Sequence, residues 1–286
     1  IPTDLTVPYQ TLVERMADAV RQMLENAGMT LEQCGGIGIG SPGTIDAKQG
    51  VILYSNNFGW ENVPIVEELK KHLDTRIEIA NDADAAALGE VCAGAAEGAE
   101  NAVLLTLGTG VGSGVILDKK IFRGAMPGGC ELGHLSIRYD GIRCTCGRKG
   151  CLEAYASASA LLRIAREKAA EHPESIMNEM CGNDLEQMNG KIPFDAAKAG
   201  DEAGMETVKE YEGYLACGIA NVINTFRPEK VILGGGVAAQ KDNLTAPLKD
   251  LVKDMCFGGS HGHIADIVTS VLGNDAGIIG AANLVV

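Results

Sequence analysis

Glu131-Leu132-Gly133-His134 is followed, ten residues after the histidine, by Cys144-Thr145-Cys146-Gly147-Arg148-Lys149-Gly150-Cys151-Leu152-Glu153. One imidazole and three thiols at C-x-C-x4-C spacing can close a tetrahedral Cys3His zinc site. The paired glycines let the backbone fold tightly enough to aim the thiolates inward. Four protein ligands leave no open position for metal-bound water, so the expected zinc is structural. The competing reading is three free thiols in a loop, which the histidine and the glycines disfavour. Glu131 and Glu153 flank the module. The arrangement suits a metal that positions polar groups for another ligand, since each carboxylate can accept two hydrogen bonds. An imidazole bound to zinc through one nitrogen keeps a proton on the other for the same ligand. Glu153 has a plainer alternative as a cap for a helix beginning near Leu152.

Asn81-Asp82 lies between a predicted strand over 77–80 and a predicted Ala-rich helix over 84–95, where open α/β sheets expose ligand-binding groups. An aspartate there can take the proton of an attacking hydroxyl, and the neighbouring amide can hold a second hydroxyl. The plainer reading makes Asp82 or Asp84 the helix N-cap. Gly108-Thr109-Gly110-Val111-Gly112 is open enough for backbone N–H groups to reach phosphate oxygens. It lacks the Gly-Lys-Ser/Thr of a P-loop, and Gly234-Gly235-Gly236 lacks the Rossmann spacing.

Helices and strands alternate around these residues. Leu12, Met16, Val20 and Leu24 recur every four positions and predict an amphipathic helix stopping near Gly28. A short buried strand over 36–40 enters a turn at Pro42-Gly43, and a helix is expected over 66–73. Strands over 102–107 and 112–117 flank the glycine turn, and 157–226 reads as helical with interruptions near Pro173, Gly182, Gly190 and Pro193. A strand over 230–233, a helix over 244–256, a strand over 264–270 and a closing helix over 275–286 complete an α/β pattern.

With 286 residues and 46% apolar content, the chain can bury a sizeable core. A net charge of −14 disfavours broad contact with nucleic acid or an anionic membrane, since both need basic surface. Nine cysteines, an odd number with six scattered singly, fit a reducing compartment better than a disulfide framework, and a cytoplasmic location is expected.

Several motifs, in order, carry a family resemblance: Gly40-Ser41-Pro42-Gly43, the run from Asn81 to Glu90, Leu107-Gly108-Thr109-Gly110-Val111-Gly112, the zinc module, and Leu233-Gly234-Gly235-Gly236. The whole chain resembles the ROK family of bacterial sugar kinases and repressors, and within it the glucokinase-like members. The resemblance implies an α/β actin-like ATPase (ribonuclease H-like) fold of two lobes with a zinc-binding loop. Its smaller lobe would span 1–83 and be completed by the helix 275–286, and its larger lobe would span 84–274. The implied activity is ATP-dependent phosphorylation of a hexose, glucose to glucose 6-phosphate, with Mg2+ on the nucleotide.

The resemblance makes Asp82 the catalytic base. It brings Gly43, Asn57, Asn81, Asp82, Glu131, His134 and Glu153 to the sugar, Asn57 having the alternative of an ordinary Asn-rich turn. Gly108, Thr109, Gly110 and Gly112 are expected at the ATP phosphates, Gly234, Gly235 and Gly236 at the adenosine, and His134, Cys144, Cys146 and Cys151 on structural Zn2+. Asp84 stands where asparagine is more usual and is expected only to cap. Partners are the sugar and ATP, with a homo-oligomer, favoured as a dimer, and no membrane. The alternatives are a kinase for another hexose or an N-acetylated hexosamine, and a sugar-sensing repressor, which would need a helix-turn-helix. The family normally opens with a strand bearing Asp-x-Gly-Gly-Thr, whereas this sequence opens Ile1-Pro2-Thr3. A chain without that strand is expected to be a poor kinase, with an uncovered sheet edge near 36–40.

Overall fold

A proline fixes the chain just ahead of the first helix, and Gly28 ends it in the left-handed conformation, φ 65°. In the computed structural model, which describes residues 4–262 and 264–286, this helix is α1 (Tyr9–Ala27). It is followed by β1 (Ile37–Ser41), β2 (Thr44–Asp46), β3 (Val51–Ser55), β4 (Trp60–Val63), α2 (Ile65–Lys70), β5 (Ile77–Asn81), α3 (Asp82–Ala93), β6 (Ala102–Leu107), β7 (Val111–Leu117) and β8 (Lys120–Ile121). Then come α4 (Glu153–Ala156), α5 (Ala158–Glu171), α6 (Ile176–Met180), α7 (Ile192–Lys198), α8 (Glu202–Phe226), β9 (Lys230–Gly234), α9 (Asp242–Met255), β10 (Asp266–Thr269) and α10 (Asp275–Asn283).

The chain divides into two compact units. The first comprises Ile1–Gly98, Gly114–Cys130 and Asn274–Val286. Within it β1 and β5 pair in parallel, from Ile37 opposite Ile77 to Ser41 opposite Asn81. This register sets the turn after Ser41 beside the start of α3, both at the carboxyl ends of parallel strands. Val13 and Ala17 of α1 pack with Ile52, Ile65, Leu69, Ile77 and Ile79 into one core cluster, with Met16 and Val20 partly buried against it. The spacing of the apolar residues on α1 is thus accounted for by burial of one face.

Helices α3 and α10 approach through small residues. A β-carbon at Gly89 would strike the carbonyl of Ala276, one at Gly280 that of Ala85, and one at Gly38 that of Ala281. This close packing holds α3 and the closing helix on the same unit; the expected boundary at 83–84 lies inside α3, whereas the first segment of this unit runs on to Gly98.

The second unit comprises Ala99–Ser113 and Glu131–Gly273. Its strands run in the order β10-β9-β6, with β6 and β10 both parallel to β9. Val103, Leu104 and Leu105 oppose Val231, Ile232 and Leu233, all buried, which is why these strands read as unbroken apolar runs. The helical block holds its own cluster of Ala165, Met177, Cys181, Met188, Ile192 and Ala203.

The structure adds a three-stranded antiparallel sheet, β2-β3-β4, that the sequence did not reveal. Its strands have three, five and four residues, too short for a periodic signal, and a register shift interrupts the pairing at Thr44/Ile45. Pro193 does not interrupt the helical block as expected. It sits in the first turn of α7, where its missing N–H leaves no hydrogen bond unmade.

Glu212 of α8 is 6% exposed, and its Oε1 has no hydrogen-bond partner among the described residues. Burial pushes its carboxyl from 4.5 up to about 7. The folded chain therefore holds this proton more tightly than the unfolded one, and stability present at low pH is lost as pH rises from 4.5 through about 7. Glu212→Gln removes the titration. In urea unfolding, the wild type is expected to lose up to about 3 kcal/mol relative to the variant between pH 4 and pH 8. An offset independent of pH would show that Glu212 does not titrate in this way.

Candidate functional site

In the first unit the residues from the Gly43 turn and from the start of α3 are joined by one side chain. Asn81 Oδ1 accepts from the backbone N–H of Ala83 at 2.8 Å and of Asp84 at 3.4 Å, and Asn81 Nδ2 donates to the carbonyl of Gly43 at 3.1 Å. Asn81 is thus the N-cap, the role the sequence offered to Asp82 or Asp84. Gly43 has φ 117°, and a β-carbon there would strike the Tyr54 carbonyl. Only glycine lets the turn lie so close to β3.

Asp82 occupies the first helical position and is exposed, with Oδ1 accepting from the Ala83 N–H at 3.0 Å. Its charge sits at the positive end of α3. Asp84 is 3% exposed, and a β-carbon on Gly129 would meet its Oδ2 at 3.4 Å. Its side chain is therefore buried toward the loop before Glu131, and the N-cap position itself is held by Asn81. Asn57 is exposed in the turn between β3 and β4, and its side chain makes no hydrogen bond among the described residues.

In the second unit the His134, Cys144, Cys146 and Cys151 ligand atoms lie within 4.8 Å of one another. Cys146 Sγ and Cys151 Sγ are 3.6 Å apart, and Cys144 Sγ and His134 Nδ1 are 3.7 Å apart. Both values are far beyond a disulfide and close to the edge of about 3.8 Å that a zinc tetrahedron with Zn–S bonds of about 2.3 Å requires. None of the nine cysteines forms a disulfide. A small ribbon shapes the cluster: Cys144 N–H donates to the Arg148 carbonyl at 2.8 Å, Gly150 N–H to Ile142 at 2.8 Å and Ile137 N–H to Gly150 at 2.8 Å. Gly150 has φ 76° and a β-carbon there would strike the Arg138 carbonyl.

Burial pushes the Cys151 thiol up to about 12 and raises that of Cys144, while the Arg148 backbone lowers that of Cys146. Three thiolates in this setting require a cation, which the cluster's chemistry and spacing fit. Nδ1 is the nitrogen of His134 that faces Cys144 Sγ, which leaves Nε2 for another partner.

Glu153 opens α4, but it is not occupied with capping that helix. Its Oε2 accepts from the Val111 N–H at 3.0 Å, and its Oε1 accepts from Thr145 Oγ1 at 3.3 Å and lies 3.5 Å from Cys144 Sγ. Glu131 is exposed at the start of a single 3-10 turn, Leu132–His134, and that turn is tied down by the Leu132 N–H donating to Ser113 Oγ at 3.0 Å.

The glycine loop between β6 and β7 is pinned at three points. Ala158 N–H donates to the Gly108 carbonyl at 2.8 Å, Ser159 Oγ to the Thr109 carbonyl at 2.9 Å, and Val111 N–H to Glu153. Gly108 N–H is turned inward onto the Gly110 carbonyl at 3.0 Å. The N–H groups of Thr109 and Gly110 remain at the tip with no backbone partner among the described residues.

Of the other three glycines, Gly235 has φ 81° and a β-carbon there would strike the Leu107 backbone, so it serves close packing of β6 and β9. Gly236 lines a cavity of about 480 Å3 with Lys191, Asp195, Lys198, Gln240 and Asn243. The sequence pointed to none of these polar residues, because they are dispersed over two helices and a turn and form no motif.

Residues 3–286 match the ROK family. The chain belongs to the ROK family. The ROK chain is 37% identical over 277 residues to a glucokinase of Thermotoga maritima, covering 96% of this chain and 85% of that one. It is similar to the crystal structure of a ROK family glucokinase from Streptomyces griseus in complex with glucose and AMPPNP, with a TM-score of 0.76 and 31% identity, over 95% of this chain and 87% of that one. It is also 30% identical to a xylose repressor of Caldicellulosiruptor bescii over 87% of this chain, but spans 62% of that protein. The ROK fold of this chain is the actin-like ATPase fold that the motifs implied.

Proposed function

We propose that this ROK protein transfers the γ-phosphoryl group of ATP to a hexose, with glucose O6 as the acceptor. The observation that carries this reading is the division of labour at α3: Asn81 caps the helix, and the Asp82 carboxylate is left exposed beside it. Asp82 accepts the proton of the attacking hydroxyl and aligns its lone pair, while the second N–H of Asn81 holds a neighbouring hydroxyl. Phosphoryl transfer needs mainly alignment and charge neutralisation. Mg2+ on the nucleotide supplies charge neutralisation at the phosphates. Thr109 and Gly110 donate N–H groups to phosphate oxygens, and the cavity beside Gly236 receives the nucleoside.

On the sugar, Gly43, Glu131, His134 and Glu153 serve hydroxyl groups, with His134 donating from Nε2, and Asn57 adds a contact from its turn. His134, Cys144, Cys146 and Cys151 hold one structural Zn2+, which fixes the fold of the ribbon when bound. Identity to glucokinases along nearly the whole chain supports the kinase reading, as does the intact Asn81-Asp82 pair. An ADP-release assay over a panel of hexoses, including N-acetylated ones, tests it: glucose-dependent ADP release is expected, and none with any hexose would overturn it.

Glu131→Gln keeps the shape of the side chain but loses its charge. Sugar KM is expected to rise about tenfold with kcat little changed, because a charge-assisted bond made in ground and transition states alike is weakened. An unchanged KM removes Glu131 from the sugar site. The similarity to a xylose repressor supports a second reading, a sugar-responsive DNA-binding protein. A gel shift released by sugar, without ADP release, would favour it.

A further inference from the structure

One carboxylate in the second unit touches both the metal cluster and the glycine loop. Glu153 Oε2 holds the Val111 N–H at 3.0 Å, and a β-carbon on Gly110 would run into that same oxygen. Its Oε1 holds the hydroxyl of Thr145, which stands between two metal ligands, Cys144 and Cys146. The other two anchors of the loop, Ala158 and Ser159, follow within eight residues of Cys151, at the start of the next helix. A short run of chain therefore carries a metal ligand at one end and the three groups, from Glu153, Ala158 and Ser159, that pin the loop.

We infer that Glu153 is a positioning residue that couples the Cys3His cluster to the glycine loop, so that a metal ion in the cluster tightens nucleotide binding. Cys144 Sγ itself lies 3.5 Å from Glu153 Oε1, so a metal ligand and the carboxylate are direct neighbours. Thr145 Oγ1, carried between the ligands Cys144 and Cys146, holds Oε1 at 3.3 Å, and the Val111 N–H holds Oε2. A carboxylate fixed at both oxygens sets the position of the Val111 amide, and with it the direction of the Thr109 and Gly110 N–H groups. An open cluster frees Thr145, lets the carboxylate turn, and loosens the loop. The coupling rests on the reading that the loop meets the nucleotide phosphates.

Thr145→Val tests it, because the change removes one hydroxyl and leaves the four ligands and Glu153 in place. ADP affinity is measured by calorimetry, and exchange of the Val111 amide by NMR, on zinc-loaded and chelator-treated wild type and variant. In the wild type, chelation is expected to weaken ADP binding about fivefold or more and to speed Val111 exchange about tenfold. Zinc-loaded Thr145→Val should still hold its zinc, show both changes already, and respond little to chelation. Thr145→Ser should restore wild-type behaviour. The zinc-loaded variant keeps the test independent of whether the chelated chain stays folded. Wild-type ADP affinity and wild-type Val111 exchange in zinc-loaded Thr145→Val would overturn the coupling. Gly110→Ala separates the two ideas: if it leaves ADP affinity unchanged, the nucleotide reading of the loop falls and the coupling with it. If it weakens ADP binding while Thr145→Val does not, the coupling alone falls.

Discussion

Asp82→Asn is expected to lower kcat about a thousandfold while leaving sugar affinity within about tenfold. The amide is isosteric, and its oxygen can still accept the Ala83 N–H that Asp82 Oδ1 accepts at 3.0 Å. It cannot take a proton from a hydroxyl, so the loss falls on the step in which that proton leaves. Helix stability should change little, because the N-cap belongs to Asn81 and an exposed carboxylate near the helix N-terminus contributes only about 0.3–1 kcal/mol. Measuring sugar binding by calorimetry and turnover by ADP release on the same preparation separates the two effects. A variant with near-normal kcat would reduce Asp82 to a helix-terminus charge and leave the reaction without its base.

The N-terminus of α3 also shows what a sequence can and cannot specify. Asn, Asp and Asp occur at 81, 82 and 84, and all three are good caps, so residue type alone does not say which one is used. The answer came from the register of β1 with β5, which brings the Gly43 carbonyl to Asn81 Nδ2 across 38 positions of chain and turns Asn81 Oδ1 onto the helix. The metal cluster was legible because its cysteines are close in sequence and their chemistry is specific. The strands β6 and β9 were legible because burial on both faces imposes unbroken apolar runs. The β2-β3-β4 sheet was not, since its stability comes from Ile45, Ile52 and Val63 entering a core assembled with α1 and β5 rather than from any local pattern. Glu153 was placed near a sugar by family likeness, but its bond to Val111, 42 residues away, left no local trace.

Removing the metal is expected to disable the second unit's carboxylates together. Metal analysis of gently purified protein should give one zinc per chain, and Cys151→Ser should abolish retention of it. Cys151 is completely buried, and its N-terminal neighbour Gly150 accepts the Ile137 N–H, so the ligand sits where the ribbon crosses itself. Without a cation, burial favours the neutral thiol and the three sulfurs have no common centre to hold them. Leu152 N–H bonds to the Leu135 carbonyl at 2.8 Å, immediately beside the ligand His134, so loosening the cluster disturbs the turn that carries Glu131 as well as the start of α4 that carries Glu153. Sugar affinity should fall about 10- to 100-fold, the scale on which disturbing the shell around a bound metal affects a site. The melting temperature should fall with it. Cys92→Ser, an exposed cysteine outside the cluster, should keep its zinc and its sugar affinity. Protein that contains no zinc as purified, or a structure pairing Cys146 with Cys151 as a disulfide, would show instead that the four residues are a thiol cluster. The carboxylates would then have to be held by the ribbon's backbone alone.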